Sequence, residues 1–143
     1  MNKSKFGGLA LILVAAIAYF ANEGQLTATA GGASNAGVWT AFADRASDTM
    51  VRGEGIVKTV LADDTKGSRH QRFILDVGRG HTILIAHNID LAPRIDGLSV
   101  GESVSYVGEY EWNDKGGVVH WTHHDPAGRH PGGYLIHAGI KYE

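Results

Sequence analysis

From Val51 onward, apolar residues recur at every second position in five runs separated by clusters of glycine, aspartate and asparagine. A period of two is the repeat of a half-buried strand, whose successive side chains point to opposite faces. The runs are GEGIVKTVLA, RHQRFILDV, HTILIAH, SVSYVGEYEW and VVHWTHH. Asp63-Asp64-Thr65-Lys66-Gly67, Gly78-Arg79-Gly80 and Asn113-Asp114-Lys115-Gly116-Gly117 provide turns between them. Asn88 to Ile95 breaks the pattern: a capping Asn88 or Asp90 followed by Pro93 in a first turn predicts a short helix between strands three and four. Pro126 has no N–H for a ladder and is expected to end the fifth strand. Five strands with their longest break after the third follow the order of a small all-β, OB-like Greek-key barrel, whereas a sandwich normally needs about seven. Gly53, Gly55 and Gly108 stand where strongly coiled strands must bend.

The barrel is expected over residues 51–143, with a Gly- and His-rich tail after Ala127. Ahead of it, GGASNAG at 31–37 reads as a linker, and Val38, Trp39, Phe42, Ala43, Ala46 and Met50 recur at helical spacing behind Ser34 or Asn35 as caps. Residues 31–50 are therefore a linker and a short amino-terminal helix. Residues 1–30 carry Lys3 and Lys5 ahead of an uncharged stretch from Phe6 to Ala21. As a helix that stretch reaches about 24 Å, short of a hydrocarbon core of about 30 Å, which favours a signal peptide over a permanent span. Ala28-Thr29-Ala30 lies far from the apolar run for a cleavage site, so an uncleaved anchor is the alternative. Both place the barrel outside the cytoplasm, either free in the periplasm or held on the periplasmic face of the inner membrane. In both, any membrane contact runs through the amino-terminal segment.

Of 13 Lys and Arg and 15 Asp and Glu, the segment 1–30 holds only Lys3, Lys5 and Glu23, so the remainder is mildly acidic. Bulk positive charge therefore gives no drive to coat polyanions, and any anion site must be local. The chain has no Cys, which excludes thiol nucleophiles, thiolate metal ligands, disulfides and the acylated Cys of a lipoprotein.

The segments RHQRF (Arg69 to Phe73), HNIDLAPR (His87 to Arg94), GEYEWN (Gly108 to Asn113) and HWTHHDP (His120 to Pro126) resemble a family of small exported bacterial proteins classed as a domain of unknown function. The resemblance runs from about Gly53 to the carboxy end and implies no catalytic residues. Micrococcal nucleases are another group of small exported OB proteins. Their Asp-Gly-Asp-Thr signature has no counterpart here, since Asp63-Asp64-Thr65-Lys66 lacks the glycine between the carboxylates, and the likeness is one of architecture alone.

All eight His lie between residues 70 and 137. Imidazole exchanges protons near neutral pH and is the commonest neutral metal ligand, so clustered His suits acid–base or metal work. His81, His130 and His137, isolated in loops, read as readily as solvated surface. The candidates for catalysis are His120, His124, Glu109, His87 and His70. On a straight strand His120 and His124 would share a face about 13 Å apart, too far for one ion. His123, His124 and Asp125 are the candidate metal ligands, because the chain bends at Pro126. In the fourth strand Tyr106, Gly108, Tyr110 and Trp112 alternate with Ser105, Val107, Glu109 and Glu111, and pairing register decides whether aromatics or carboxylates meet His120. Arg72, Arg94, Asn88, Glu111 and Trp121 are the candidate ligand-binding residues, the arginines through paired N–H donors and Trp121 by stacking.

These residues point first to an exported OB-fold protein with a His/Glu/Arg site for an anionic ligand, single-stranded nucleic acid or another phosphodiester leading. Hydrolysis is an extension in which a His or a metal-bound water acts as base or nucleophile, Arg72 or Arg94 stabilises charge and Glu109 or Glu111 orients the base. The alternative is a non-catalytic envelope module that binds a protein, a glycan or a divalent metal ion.

Overall fold

The computed structural model describes residues 34–143. The expected signal peptide or anchor, and the first residues of the linker, lie outside the described residues. Among the described residues no helix is long and apolar enough to cross a membrane. Helix α1 (Ala36–Ala43) precedes seven strands: β1 (Thr49–Val60), β2 (His70–Asp76), β3 (Thr82–Asn88), β4 (Ser103–Glu111), β5 (Val118–His120), β6 (Tyr134–His137) and β7 (Ile140–Tyr142). The first five close in the order β1-β2-β3-β5-β4, with β4 returning to β1. All these pairs are antiparallel except β3 with β5, which runs parallel. This is the expected OB-like barrel.

The period-two pattern resolves into inward and outward faces. Phe73 and Leu75 of β2, Ile83 and Ile85 of β3, and Val104, Tyr106 and Tyr110 of β4 are buried. Between them lie His70, Arg72 and Ile74, and then Glu109 and Glu111, on the outer surface. The twelve residues of β1 serve two neighbours: Thr49 to Ile56 pair with β4, and Ile56 to Val60 pair with β2 across a bulge between Val57 and Thr59. Gly53 is needed at this crossing, because a side chain there would strike the Asn35 side chain and the Tyr106 hydroxyl. At Gly108 a side chain would strike the His120 carbonyl and Thr122 where the chain leaves β5.

Three expectations change. No helix fills the break after β3: the Asn88 carbonyl accepts from Ala92 N–H at 3.1 Å for a single turn. Pro93 then forces Ala92 out of helical geometry. Ile95 N–H goes to Gln71 Oε1 at 2.9 Å, while Gln71 Nε2 donates to the Ile95 carbonyl at 2.8 Å. Secondly, β5 stops at His120 rather than at Pro126, since Trp121 takes left-handed backbone, φ 54°. Thirdly, the Gly- and His-rich tail, to which the sequence pattern assigns no strand, holds two. It returns as β6, which pairs with Val104 to Val107 of β4, and turns through Ala138-Gly139 into β7.

Asn35 does not use its side chain to cap α1; Ser34 Oγ accepts Ala36 N–H instead, at 3.2 Å. Asn35 reaches into the barrel mouth. Its Nδ2 donates to the carbonyls of Glu54 (2.7 Å) and Val77 (3.1 Å), and its Oδ1 accepts from Glu54 N–H (3.1 Å) and the Tyr106 hydroxyl (2.7 Å). One amide thus ties the helix entry to β1, to the end of β2 and to β4. Replacing it leaves four partners to find water or go unpaired. With each such bond worth about 1 kcal/mol net, Asn35→Ala is expected to lower unfolding free energy by about 2–3 kcal/mol in urea melts. A loss below about 0.5 kcal/mol would mean that water replaces the amide without cost.

Candidate functional site

Strand β4 offers one edge to β1 and divides the other, Glu109 to Glu111 pairing with β5 and Val104 to Val107 with β6. The chain between β5 and β6 therefore leaves and rejoins the same edge, and Gly133 N–H closes the excursion on the His123 carbonyl at 2.9 Å. Within it the Asp125 carboxylate accepts three amides, from Ala127 (3.0 Å), Arg129 (2.7 Å) and His130 (2.9 Å). These donors, His130 first, hold the Asp125 carboxyl below its ordinary range.

This loop lays His130 against the outer face of β4, where its Nε2 meets Glu109 Oε2. Register puts Glu109 directly opposite His120, and His120 Nε2 lies 3.4 Å from Glu111 Oε1. The carboxylate face, not the aromatic one, thus meets His120. One ligand atom each from Glu109, Glu111 and His120 lie within 4.8 Å of one another. Glu109 is the most enclosed, its side chain 13% exposed against 26% for His130 and 35% for His120. Trp121 closes one side, its ring 3.9 Å from that of His130 and 5.2 Å from that of His123. Its indole N–H is buried with no partner among the described residues.

The chemistry of His130 is constrained by its neighbours. Its Nδ1 faces the Pro131 carbonyl at 2.7 Å, an acceptor only, so Nδ1 carries the hydrogen. Its Nε2 faces a carboxylate, so a positive centre belongs between the two. In the protein alone that centre is a proton. Burial opposes the charge, but the Pro131 carbonyl and Glu109 together outweigh it and raise the imidazole above its ordinary value.

The remaining sequence candidates lie elsewhere. His87 is inside the barrel, where Nε2–H donates to the Pro93 carbonyl at 2.9 Å and Nδ1 accepts from the Thr122 hydroxyl at 2.8 Å. Asn88 Oδ1 accepts Asp90 N–H in the turn after β3. His70 donates to the Ser68 carbonyl and Arg72 to the Ala62 carbonyl. Arg94 pairs with Asp63 and Asp96. His123, buried, donates to the His124 carbonyl; the His124 side chain is exposed, and Asp125 is occupied by the loop amides. Of the sequence candidates, Glu109, Glu111, His120 and Trp121 come together. His130 was read equally as surface. It stands in no strand pattern, and its only local signal is a position five residues after a loop-ordering Asp. His81 and His137 also have partners, the Gly116 carbonyl and Glu102.

The sequence model of a family described as a protein of unknown function, DUF3465, matches residues 22–143. The chain belongs to this family. The match begins well before Gly53 and takes in Asn35 and α1. No curated protein matches the chain.

The buried His87 has a consequence for stability. Burial holds its pKa below the ordinary 6.5, so the folded protein keeps it neutral while the unfolded chain takes up a proton as pH falls through 6.5. Stability from this group is therefore complete above 6.5 and falls on acidification, by at most about 1.4 kcal/mol per pH unit. His130, raised, acts with the opposite sign and loses its contribution as pH rises. Urea melts from pH 7.5 to 5 should show the wild type losing more stability than His87→Gln, which has no proton to gain there. Parallel curves would remove His87 as the source.

Proposed function

We propose that this barrel is a divalent metal-binding module whose site is Glu109, Glu111, His120 and His130 on the outer face of β4 and β5. The observation that carries the reading is the pairing of His130 Nε2 with Glu109 while Nδ1 is held by a backbone carbonyl. A metal-ligating imidazole commonly donates its other N–H to such an acceptor, which fixes the tautomer and aims the lone pair. Two carboxylates neutralise a dication, and two neutral imidazoles complete a four-donor set. A tetrahedral ion with bonds of about 2.1 Å wants its ligands ~3.4 Å apart, and one ligand atom each from Glu109, Glu111 and His120 already lie within 4.8 Å of one another, with His130 joined to them through Glu109. Mixed nitrogen and oxygen donors without thiolate suit zinc, and manganese or iron next, over soft copper(I).

The anionic-ligand reading changes form here. Arg72 and Arg94 are engaged elsewhere, so an anion, single-stranded nucleic acid included, would meet carboxylates at this face and would have to be recruited through the ion. Hydrolysis of a phosphodiester would then fall to water on the ion. If residues 1–30 export the chain, the site meets its ion in the periplasm.

Isothermal titration of tag-free protein with zinc and manganese is expected to give one saturable site for at least one of them. Its affinity should fall about tenfold or more in Glu109→Gln and in His130→Ala, and stay unchanged in His124→Ala. Because the ion displaces the His130 proton, binding should release protons and weaken as pH falls from 7.5 to 5.5. Absence of saturable binding, or binding indifferent to Glu109→Gln, overturns the proposal. Phosphodiester turnover that appears with the ion and vanishes in Glu109→Gln would add catalysis to binding.

A further inference from the structure

A second feature lies at the end of the barrel beside α1, apart from the four metal-site residues. Helix α1, the β2–β3 turn and the β4–β5 turn enclose an open cleft of about 440 Å3, lined among others by Trp39, Phe42, Arg79, His81, Thr82 and Lys115. That volume lies within the range of small-molecule sites, roughly 300–1,000 Å3. The Arg79 guanidinium sits 3.8 Å over the Trp39 ring. It is held there by an unusual backbone: Gly78, Arg79 and Gly80 all have positive φ, and Arg79, at 57°, is in the left-handed region that residues with a side chain rarely take. Phe42 meets His81 edge-on at 4.6 Å and stacks with Trp112 at 6.4 Å, so the aromatic wall is itself braced. His81 is fixed by donating Nε2–H to the Gly116 carbonyl at 2.7 Å.

The charges in this cleft are unspent. Among the described residues neither Arg79 nor Lys115 has a carboxylate within salt-bridge distance, whereas Arg69, Arg94 and Lys141 all do. The Trp39 indole N–H is buried and has no partner there either. A bare inorganic anion would engage the two cations and leave the aromatic surface wet. A flat ring carrying an anionic group would use both, since guanidinium planes and aromatic faces stack on bases while Arg and Lys hold phosphate. The Asp114 carboxylate, on the same rim, is an acceptor for amino or hydroxyl groups of such a ligand.

We infer that the cleft between α1 and the β2–β3 and β4–β5 turns binds a nucleoside phosphate, its base stacked on the Arg79–Trp39 pair and its phosphate held by Arg79 and Lys115. The same chemistry comes from a free mononucleotide or from one residue of a single strand, and the experiment separates the two. The wild-type protein is titrated in separate calorimetric runs with a purine and a pyrimidine nucleoside monophosphate, the corresponding nucleosides, inorganic phosphate, and a short single-stranded oligonucleotide. The expected result is saturable binding of a monophosphate at millimolar concentration or below, at least about tenfold weaker binding of its nucleoside and of inorganic phosphate, and about tenfold loss in Arg79→Asn with Lys115→Gln. Asn tolerates left-handed backbone and Lys115 is exposed, so the double variant should melt like the wild type.

Binding of the oligonucleotide alone, lost in the double variant, supports the site with a polymer as its source. No saturable binding of any nucleotide at about 10 mM overturns the inference, as does binding that the double variant retains. Nucleoside bound as tightly as monophosphate also overturns it. Glu109→Gln should leave nucleotide binding unchanged, so this inference and the metal proposal can fail separately.

Discussion

Strand β4 gives hydrogen bonds to three other strands at once, and the architecture depends on how its two edges are shared. One edge runs along β1 for eight residues, closing the barrel; the other is divided between β5 and β6. Because backbone N–H and C=O groups must be paired when removed from water, the piece of edge that the three residues of β5 leave free is a demand that the tail satisfies. The loop between β5 and β6 is thereby pinned at both ends, and its His130 is delivered over β4. The same short β5 lets Thr122 turn inward and meet His87.

The two faces of β4 divide the work. Inward, Tyr106 and Tyr110 fill the barrel with their hydroxyls satisfied, by Asn35 Oδ1 and the Gly116 carbonyl respectively. Burial raises both phenol pKa values, so they remain neutral donors. Outward, Glu109 and Glu111 meet two imidazoles. The buried tyrosine hydroxyls serve the fold, whereas the outward carboxylates lie half-buried beside imidazoles. His87 and His130 show the contrast: the first has a neutral partner at each nitrogen, the second an acceptor at each.

Much of this was legible beforehand. The alternation of RHQRFILDV separates Arg72 from Phe73 on opposite faces, as the strand bears out, and the turn clusters placed the hairpins. The break at Asn88 to Ile95 was located correctly, but its helix was not formed, because Gln71 takes the amide hydrogen bonds of Ile95 that a helix would use internally. The run VVHWTHH looks like seven residues of strand and provides three; nothing local marks Trp121 for left-handed backbone. His130 was invisible as a partner of Glu109 for the same reason, since the two are 21 residues apart and meet only through strand pairing.

The amino-acid sequence by itself determined the first five strands, the alternation of side chains between their two faces and the turns that join the hairpins. Those properties follow from a period of two and from the backbone preferences of Gly, Pro, Asn and Asp, and each is decided within a few residues. Tertiary structure alone decided the register of β4 with β5, the end of β5 and the return of the tail to β4's open edge. It also decided which imidazoles meet which carboxylates. Pairings between distant segments are chosen by closure of the barrel and by the need to satisfy its remaining edge, and no window of neighbouring residues contains that information.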